Sequence, residues 1–131
     1  AGGECGAPTG RPRRVGPLDL VATRYGVIMQ GAPELAFTKL DILSYMKEIP
    51  VCTHYEIDGV KTADFPFPAL LEKARPVYTV LPGWQCDISG VRRFEDLPAA
   101  AQDYVLFAEK ALGCPIKYVS VGAEREAIIL R

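Results

Sequence analysis

The chain has almost no charge bias, with 15 Lys and Arg against 16 Asp and Glu and a formal net charge of −1 at pH 7. Without an overall basic field, collection of nucleic acid or of an anionic membrane over a broad surface is excluded, and any polyanion site has to be local. CxxC is also missing: the four cysteines, at positions 5, 52, 86 and 114, are separated by 47, 34 and 28 positions. That spacing excludes the common zinc and redox-pair patterns. No apolar run approaches the ~20 residues of a membrane span, so no membrane association is expected. No signal-peptide pattern is seen and the apolar content is ample, so the thiols are expected to be reduced and the protein cytoplasmic. There is a single histidine, His54, in a strand pattern with no cysteine or serine placed by motif beside it, and a structural role is expected for it. No internal repeat is visible.

What remains is an ordinary globular composition, 49% hydrophobic and 24% charged over 131 residues with a mean hydropathy of +0.09. This length corresponds to one domain or part of one, with enough apolar residues for a real core. Glycine and proline, twelve and eleven in number, fall short of a low-complexity share but are unevenly placed. Residues 1–17, AGGECGAPTGRPRRVGP, hold five of the glycines, three of the prolines and three arginines. Such a segment suits an anion-gripping loop inside a larger protein better than a natural N-terminus, so a fragment is expected.

Along the rest of the chain, helix and strand patterns alternate. In residues 17–30 the apolar positions Leu18, Val21, Ala22, Tyr25, Ile28 and Met29 recur at spacings of three and four, which predicts a helix. Pro17 suits its first turn, Asp19 its N-terminal dipole, and Gly31 a left-handed stop. Residues 34–38 (ELAFT) read as a short strand leading into Lys39-Leu40-Asp41. Residues 51–57 and 60–62 around Asp58-Gly59 read as a β-hairpin with a type I′ turn. Residues 77–81 read as a strand closed by Pro82-Gly83. The clearest helix is 98–112, with the stripe Ala101, Tyr104, Val105, Ala108 and Leu112 followed by Gly113 and Pro115. Residues 116–121 come next as a strand ending at Gly122, and residues 127–130 as a last one. The fold class expected is α/β, with a ligand site at the carboxyl edge of its strands.

Three constellations can carry chemistry. The first is Thr38-Lys39-Leu40-Asp41 after an apolar strand. A carboxylate there can accept from N1–H and the exocyclic amine of guanine while the lysine stem covers the base, a donor pair that adenine lacks. The string is short, and Asp41 as a helix N-cap is the competing local role. The second is Ser120-Val121-Gly122 at the end of another strand, whose backbone N–H groups can face a base carbonyl; the competing role is a plain turn. In a parallel sheet both would share one edge. The third is Thr9-Gly10-Arg11-Pro12-Arg13-Arg14, where arginine forks grip carboxylate or phosphate and glycine admits close backbone approach. A basic tail touching nucleic acid, or a solvated charge run, competes there. Against nucleic acid, the chain lacks a basic stripe with interleaved aromatics. Trp84 reads as a packing anchor, and Glu124 and Glu126 around Arg125 as solvated surface.

The segments GAPTGRPRRVGPLDLVATRYG, ELAFTKLD, LPGW, SGVRRFEDLP and SVGAERE, in this order and spacing, resemble the C-terminal part of adenylosuccinate synthetase over essentially the whole chain. The resemblance implies an α/β fold that is part of a P-loop-NTPase-like sheet flanked by helices, with a β-hairpin excursion. Residues 1–16 would form the aspartate- and phosphate-binding loop, and residues 17–131 the α/β part with the guanine-recognition loops. It further implies a GTP-dependent ligase of purine (AMP) biosynthesis that joins IMP and L-aspartate into adenylosuccinate, with GTP as co-substrate and Mg²⁺ held by the N-terminal part. In the family, GTP phosphorylates the 6-oxygen of IMP and the aspartate amine displaces that phosphate. By motif, Thr9, Gly10, Arg11 and Arg13 would hold aspartate, Arg11 would also contact IMP, and Arg13 would also reach GTP. Lys39, Leu40, Asp41, Ser120, Val121 and Gly122 would bind GTP. No catalytic or metal-binding residue is expected in this segment, which lacks a G-x-x-x-x-G-K-[ST] string and the family's glycine-rich variant of it. Inactivity of the segment alone and a homodimer for the full-length enzyme are the corresponding expectations. The alternative is a non-catalytic GTP-contacting or structural domain. Pro8, Pro17 and Ala123 depart from the commoner family pattern; Pro8 removes one hydroxyl from the aspartate loop and stiffens it.

Overall fold

The computed structural model describes residues 18–66 and 68–131. The elements run β1 (Leu18–Asp19), α1 (Leu20–Gln30), β2 (Leu35–Phe37), a 3₁₀ turn (Leu40–Leu43), β3 (Glu48–Ile57) and β4 (Val60–Thr62). They continue with α2 (Pro68–Leu71), β5 (Arg75–Pro82), a second 3₁₀ turn (Phe94–Asp96), α3 (Ala99–Leu112), β6 (Ile116–Ser120) and β7 (Ile128–Leu130). The architecture is mixed α/β with two sheets. In the first, β3 is central: β5 runs antiparallel along one side, and the other carries β1 in parallel at Val51 and Cys52, then β4 antiparallel from Tyr55 to Ile57. The second has the order β2-β6-β7, with β2 and β6 parallel and β7 antiparallel.

Most of the expected elements form. Asp58 and Gly59 take φ of 51° and 81°, the two positive values a type I′ hairpin needs. The hairpin is not an excursion, because its longer strand β3 is the spine of the first sheet. In α3 the stripe Ala101, Tyr104, Val105, Ala108 and Leu112 is buried, and Gly113 closes the helix in the left-handed region at φ 65°. Around that stripe gathers the main core, with Leu20, Leu40, Ile49, Val51, Trp84, Ile88, Val119, Val121 and Ile129.

α1 ends as expected, at Gln30 with Gly31 left-handed at φ 62°, but departs from expectation at its start and in the exposure of its second half. Leu18 and Asp19 are extended, pairing with Val51 and Cys52, and the helix starts at Leu20. Asp19 is the N-cap: its Oδ1 accepts from the N–H groups of Val21 and Ala22 at 3.0 Å each, and its Oδ2 accepts from the Tyr55 hydroxyl. Further along, Tyr25, Ile28 and Met29 of the expected buried stripe are exposed, Ile28 by 65% and Met29 by 66%. The helix is held at its start, by Leu20 in the main core and Val21 against Cys52 and Tyr55. Among the described cysteines, Cys52, Cys86 and Cys114 are free. No helix among the described residues is long and apolar enough to cross a membrane.

Candidate functional site

Parallel pairing of β2 with β6 brings two of the three constellations to one edge. The register is Leu35 with Ile116, Ala36 with Tyr118 and Phe37 with Val119, so the chain leaves both strands on the same side of the sheet. Residues 38–41 follow β2 there, and residues 120–122 complete and follow β6. Loops at the carboxyl ends of neighbouring parallel strands are where α/β sheets place ligands.

Each loop is pinned by one apolar residue between its polar ones. Leu40 and Val121 are both fully buried, in the same core cluster. Lys39 takes a left-handed conformation, φ 59° and ψ 40°, which is uncommon for a residue with a side chain. It turns the chain from β2 into the 3₁₀ turn, where Ile42 N–H donates to the Lys39 carbonyl at 3.3 Å and Ser44 N–H to the Asp41 carbonyl at 3.1 Å.

Asp41 does not act as a cap. The residue preceding the turn is Lys39, and no side chain caps it. Oδ1 of Asp41 is buried and makes no hydrogen bond among the described residues. A carboxylate oxygen removed from water and left without a donor costs free energy, of the order of 1–3 kcal/mol or more for a charged group. Native proteins rarely leave such an atom without a reason.

The second loop is folded against β7. Val121 N–H donates to the Ala127 carbonyl at 2.8 Å and is committed within the protein, which leaves the N–H groups of Ser120 and Gly122 as the ones the sequence reading offers to a base. Ser120 Oγ donates to the Gly122 carbonyl at 3.1 Å. A Cβ on Gly122 would stand 3.0 Å from that of Ala127, a tight approach that favours glycine. Glu124, Arg125 and Glu126 are exposed, as expected of solvated charges.

Thr9, Gly10, Arg11 and Arg13 lie outside the described residues, as do Pro8 and Pro17. His54 is exposed, with Nδ1 3.0 Å from the Thr53 hydroxyl. Burial first, and then the charge of Asp19, push the Cys52 thiol up, away from a reactive thiolate. Among the described residues no group of three or more metal-ligating side chains occurs, so they do not by themselves fit a magnesium site. Two hollows, of 310 and 280 Å³, lie beside α1 and the first sheet, apart from both loops. Sequence reasoning misses Ser44 altogether, although it lies directly after the 3₁₀ turn and accepts a hydrogen bond from Trp84. A lone serine in a turn carries no pattern to mark it.

Comparison with known proteins gives one answer. The profile of the adenylosuccinate synthetase family matches residues 1–129. The chain is 55% identical over 129 residues to the adenylosuccinate synthetase of Salinibacter ruber, covering 98% of this chain and 29% of that protein. It is 49% identical to that of Mycobacterium tuberculosis, over 99% of this chain and 30% of the other. Among solved structures, the fully ligated adenylosuccinate synthetase of Plasmodium falciparum superposes with a TM-score of 0.91 at 34% identity, covering 98% of this chain and 31% of that one. The chain thus spans about 30% of the length of the relatives it matches.

Proposed function

Because the chain belongs to the adenylosuccinate synthetase family, we propose that it serves as the guanine-reading and aspartate-gripping part of a GTP-dependent ligase that makes adenylosuccinate from IMP and L-aspartate. In this reading the β2-β6-β7 sheet belongs to a larger P-loop-NTPase-like sheet, and residues 1–16 form a loop over the substrates. Thr9, Gly10 and Arg11 hold the carboxylates of aspartate, Arg11 also reaches IMP, and Arg13 reaches both aspartate and GTP phosphate. Lys39 covers the base with its alkyl stem, Asp41 accepts from N1–H and the 2-amine, and the loop 120–122 faces the neighbouring carbonyl of the base. The enzyme would work in the cytoplasm as a homodimer.

These residues bind and orient; phosphoryl transfer to the 6-oxygen of IMP requires a triphosphate cradle and a metal site of its own. When bound, Mg²⁺ would supply charge neutralisation on the phosphates, and none of the described residues is assigned as its ligand.

The observation that carries this reading is the buried, unpartnered Oδ1 of Asp41 at the edge shared by the two loops. A pair of ligand N–H donors supplies what that carboxylate lacks. The test is Asp41→Asn in a full-length synthetase carrying this segment. The amide sets a donor against the guanine amine, so GTP use should weaken by about 2–4 kcal/mol in kcat/KM. Xanthosine triphosphate, with a carbonyl in place of that amine, should improve relative to GTP, and the KM for IMP should stay close to wild type. Unchanged GTP and XTP kinetics would overturn the reading.

A further inference from the structure

The turn that carries Asp41 is gripped from outside at both ends. On its entry side, Phe37 of β2 meets the ring of Tyr104 in α3 edge-on, with centroids 5.6 Å apart. Tyr104 in turn meets Trp84 edge-on at 5.9 Å. On the exit side, Trp84 Nε1 donates to Ser44 Oγ at 3.1 Å, directly after the 3₁₀ turn ends. Three aromatic rings and one hydrogen bond therefore connect the residue before Thr38 to the residue after Leu43.

Gly83 adds a backbone lock. Its N–H donates to the Lys47 carbonyl at 2.8 Å, and a Cβ there would stand 1.8 Å from the Met46 carbonyl oxygen, a distance no side chain can occupy. The Pro82-Gly83-Trp84 corner leaves β5 and lies directly against the segment 44–47. A four-residue 3₁₀ turn entered through a left-handed lysine has little stability of its own, so its geometry has to be imposed by neighbours.

We propose that Trp84 is a positioning residue for guanine recognition: with Gly83 it braces the Ser44 end of the turn and so fixes where the Asp41 carboxylate stands. This rests on the guanine reading of Asp41. Two-point recognition of a base edge tolerates only about 0.5 Å of misplacement, so a loosened turn weakens base reading before it affects anything else.

The experiment compares Trp84→Phe and Ser44→Ala, singly and together, in a full-length synthetase carrying this segment. Trp84→Phe keeps most of the ring contact with Tyr104 and removes the N–H; Ser44→Ala removes the same bond from the other side. Each should raise the KM for GTP about five- to tenfold, the loss of one hydrogen bond, with kcat at saturating GTP and the KM for IMP and aspartate within about twofold of wild type. Preference for GTP over inosine triphosphate, which lacks the 2-amine, should narrow. The double variant should match the singles, because all three lose the same bond. A tryptophan that only stabilises the fold would lower the melting temperature and the apparent kcat and leave the KM for GTP alone, and that result overturns the proposal. Asp41→Asn run in parallel separates the two ideas. If it leaves GTP use unchanged, the base reading and the brace fall together; if it acts while Trp84→Phe and Ser44→Ala do not, only the brace falls.

Discussion

Tyr104 shows how much a single buried side chain settles. Its ring joins Phe37 to Trp84 in the main core, and burial pushes its phenol up to about 12 from an ordinary value of 10. The unfolded chain loses this proton near pH 10 and the folded chain only near pH 12, so between them the unfolded state binds fewer protons. Stability from this group is therefore complete below about pH 10 and is lost as pH rises toward 12, by about 2–3 kcal/mol. Tyr55, raised by burial and by its bond to Asp19, extends the loss to still higher pH. Tyr104→Phe should flatten the decline between about pH 10 and 12, measured by urea unfolding at a series of pH values, and change little near neutrality. The stripe position of Tyr104 is legible in the sequence, since spacings of three and four mark a core face. The N-terminal place of Asp19 is legible too, but not the boundary it marks: Leu18 sits three residues before Val21, so periodicity carries it into the helix, whereas it lies in a strand and the aspartate caps the first turn. Periodicity cannot register a side chain that ends its own helix.

Among the elements, α3 is the best specified, and Glu109 in its last turns fastens it to the strands beyond. One carboxylate oxygen, Oε2, accepts from Ile116 N–H at 2.7 Å and from Arg131 Nη1 at 2.8 Å, and the Arg131 guanidinium lies 4.5 Å over the ring of Phe94. The helix, β6 and the residue after β7 meet at this carboxylate, and the second 3₁₀ turn joins them through Arg131. Glu109→Ala should cost about 1–3 kcal/mol in chemical unfolding, chiefly by orphaning the first N–H of β6. Glu109→Gln, which keeps an acceptor, should recover part of that loss. Such a contact spans seven positions on one side and 22 on the other, and no local pattern announces it. α2 leaves no periodic mark in the sequence because four residues make barely one turn. The exposed face of α1 is illegible for the opposite reason: an apolar stripe shows that a surface favours burial, not that a partner lies within the same 131 residues.

For the whole molecule, the candidate site divides along the same line. Lys39, Leu40, Asp41, Ser120, Val121 and Gly122 are legible as loops after strands, and β2-β6 pairing joins them; the arginine loop lies outside the described residues. What the sequence does not disclose is that one oxygen of Asp41, Oδ1, is buried and unpartnered, because the burial of an atom depends on packing that no local pattern records. The purified 131 residues are expected to form no adenylosuccinate from IMP, aspartate and GTP, since they carry neither a glycine-rich phosphate loop nor a described cluster of metal ligands. Steady product formation, monitored by its absorbance, would refute this. The β2-β6 pairing also sets a schedule. Leu35 and Ile116 meet across 81 positions of chain, a closure among the slower events available to a domain of this size. On the ribosome, the lysine-aspartate segment therefore waits, synthesised but without its neighbour, until β6 has emerged. On the proposed reading, competence to hold a nucleotide should then appear in one late step, and a nucleotide bound at that seam would slow its reopening rather than hasten its closing.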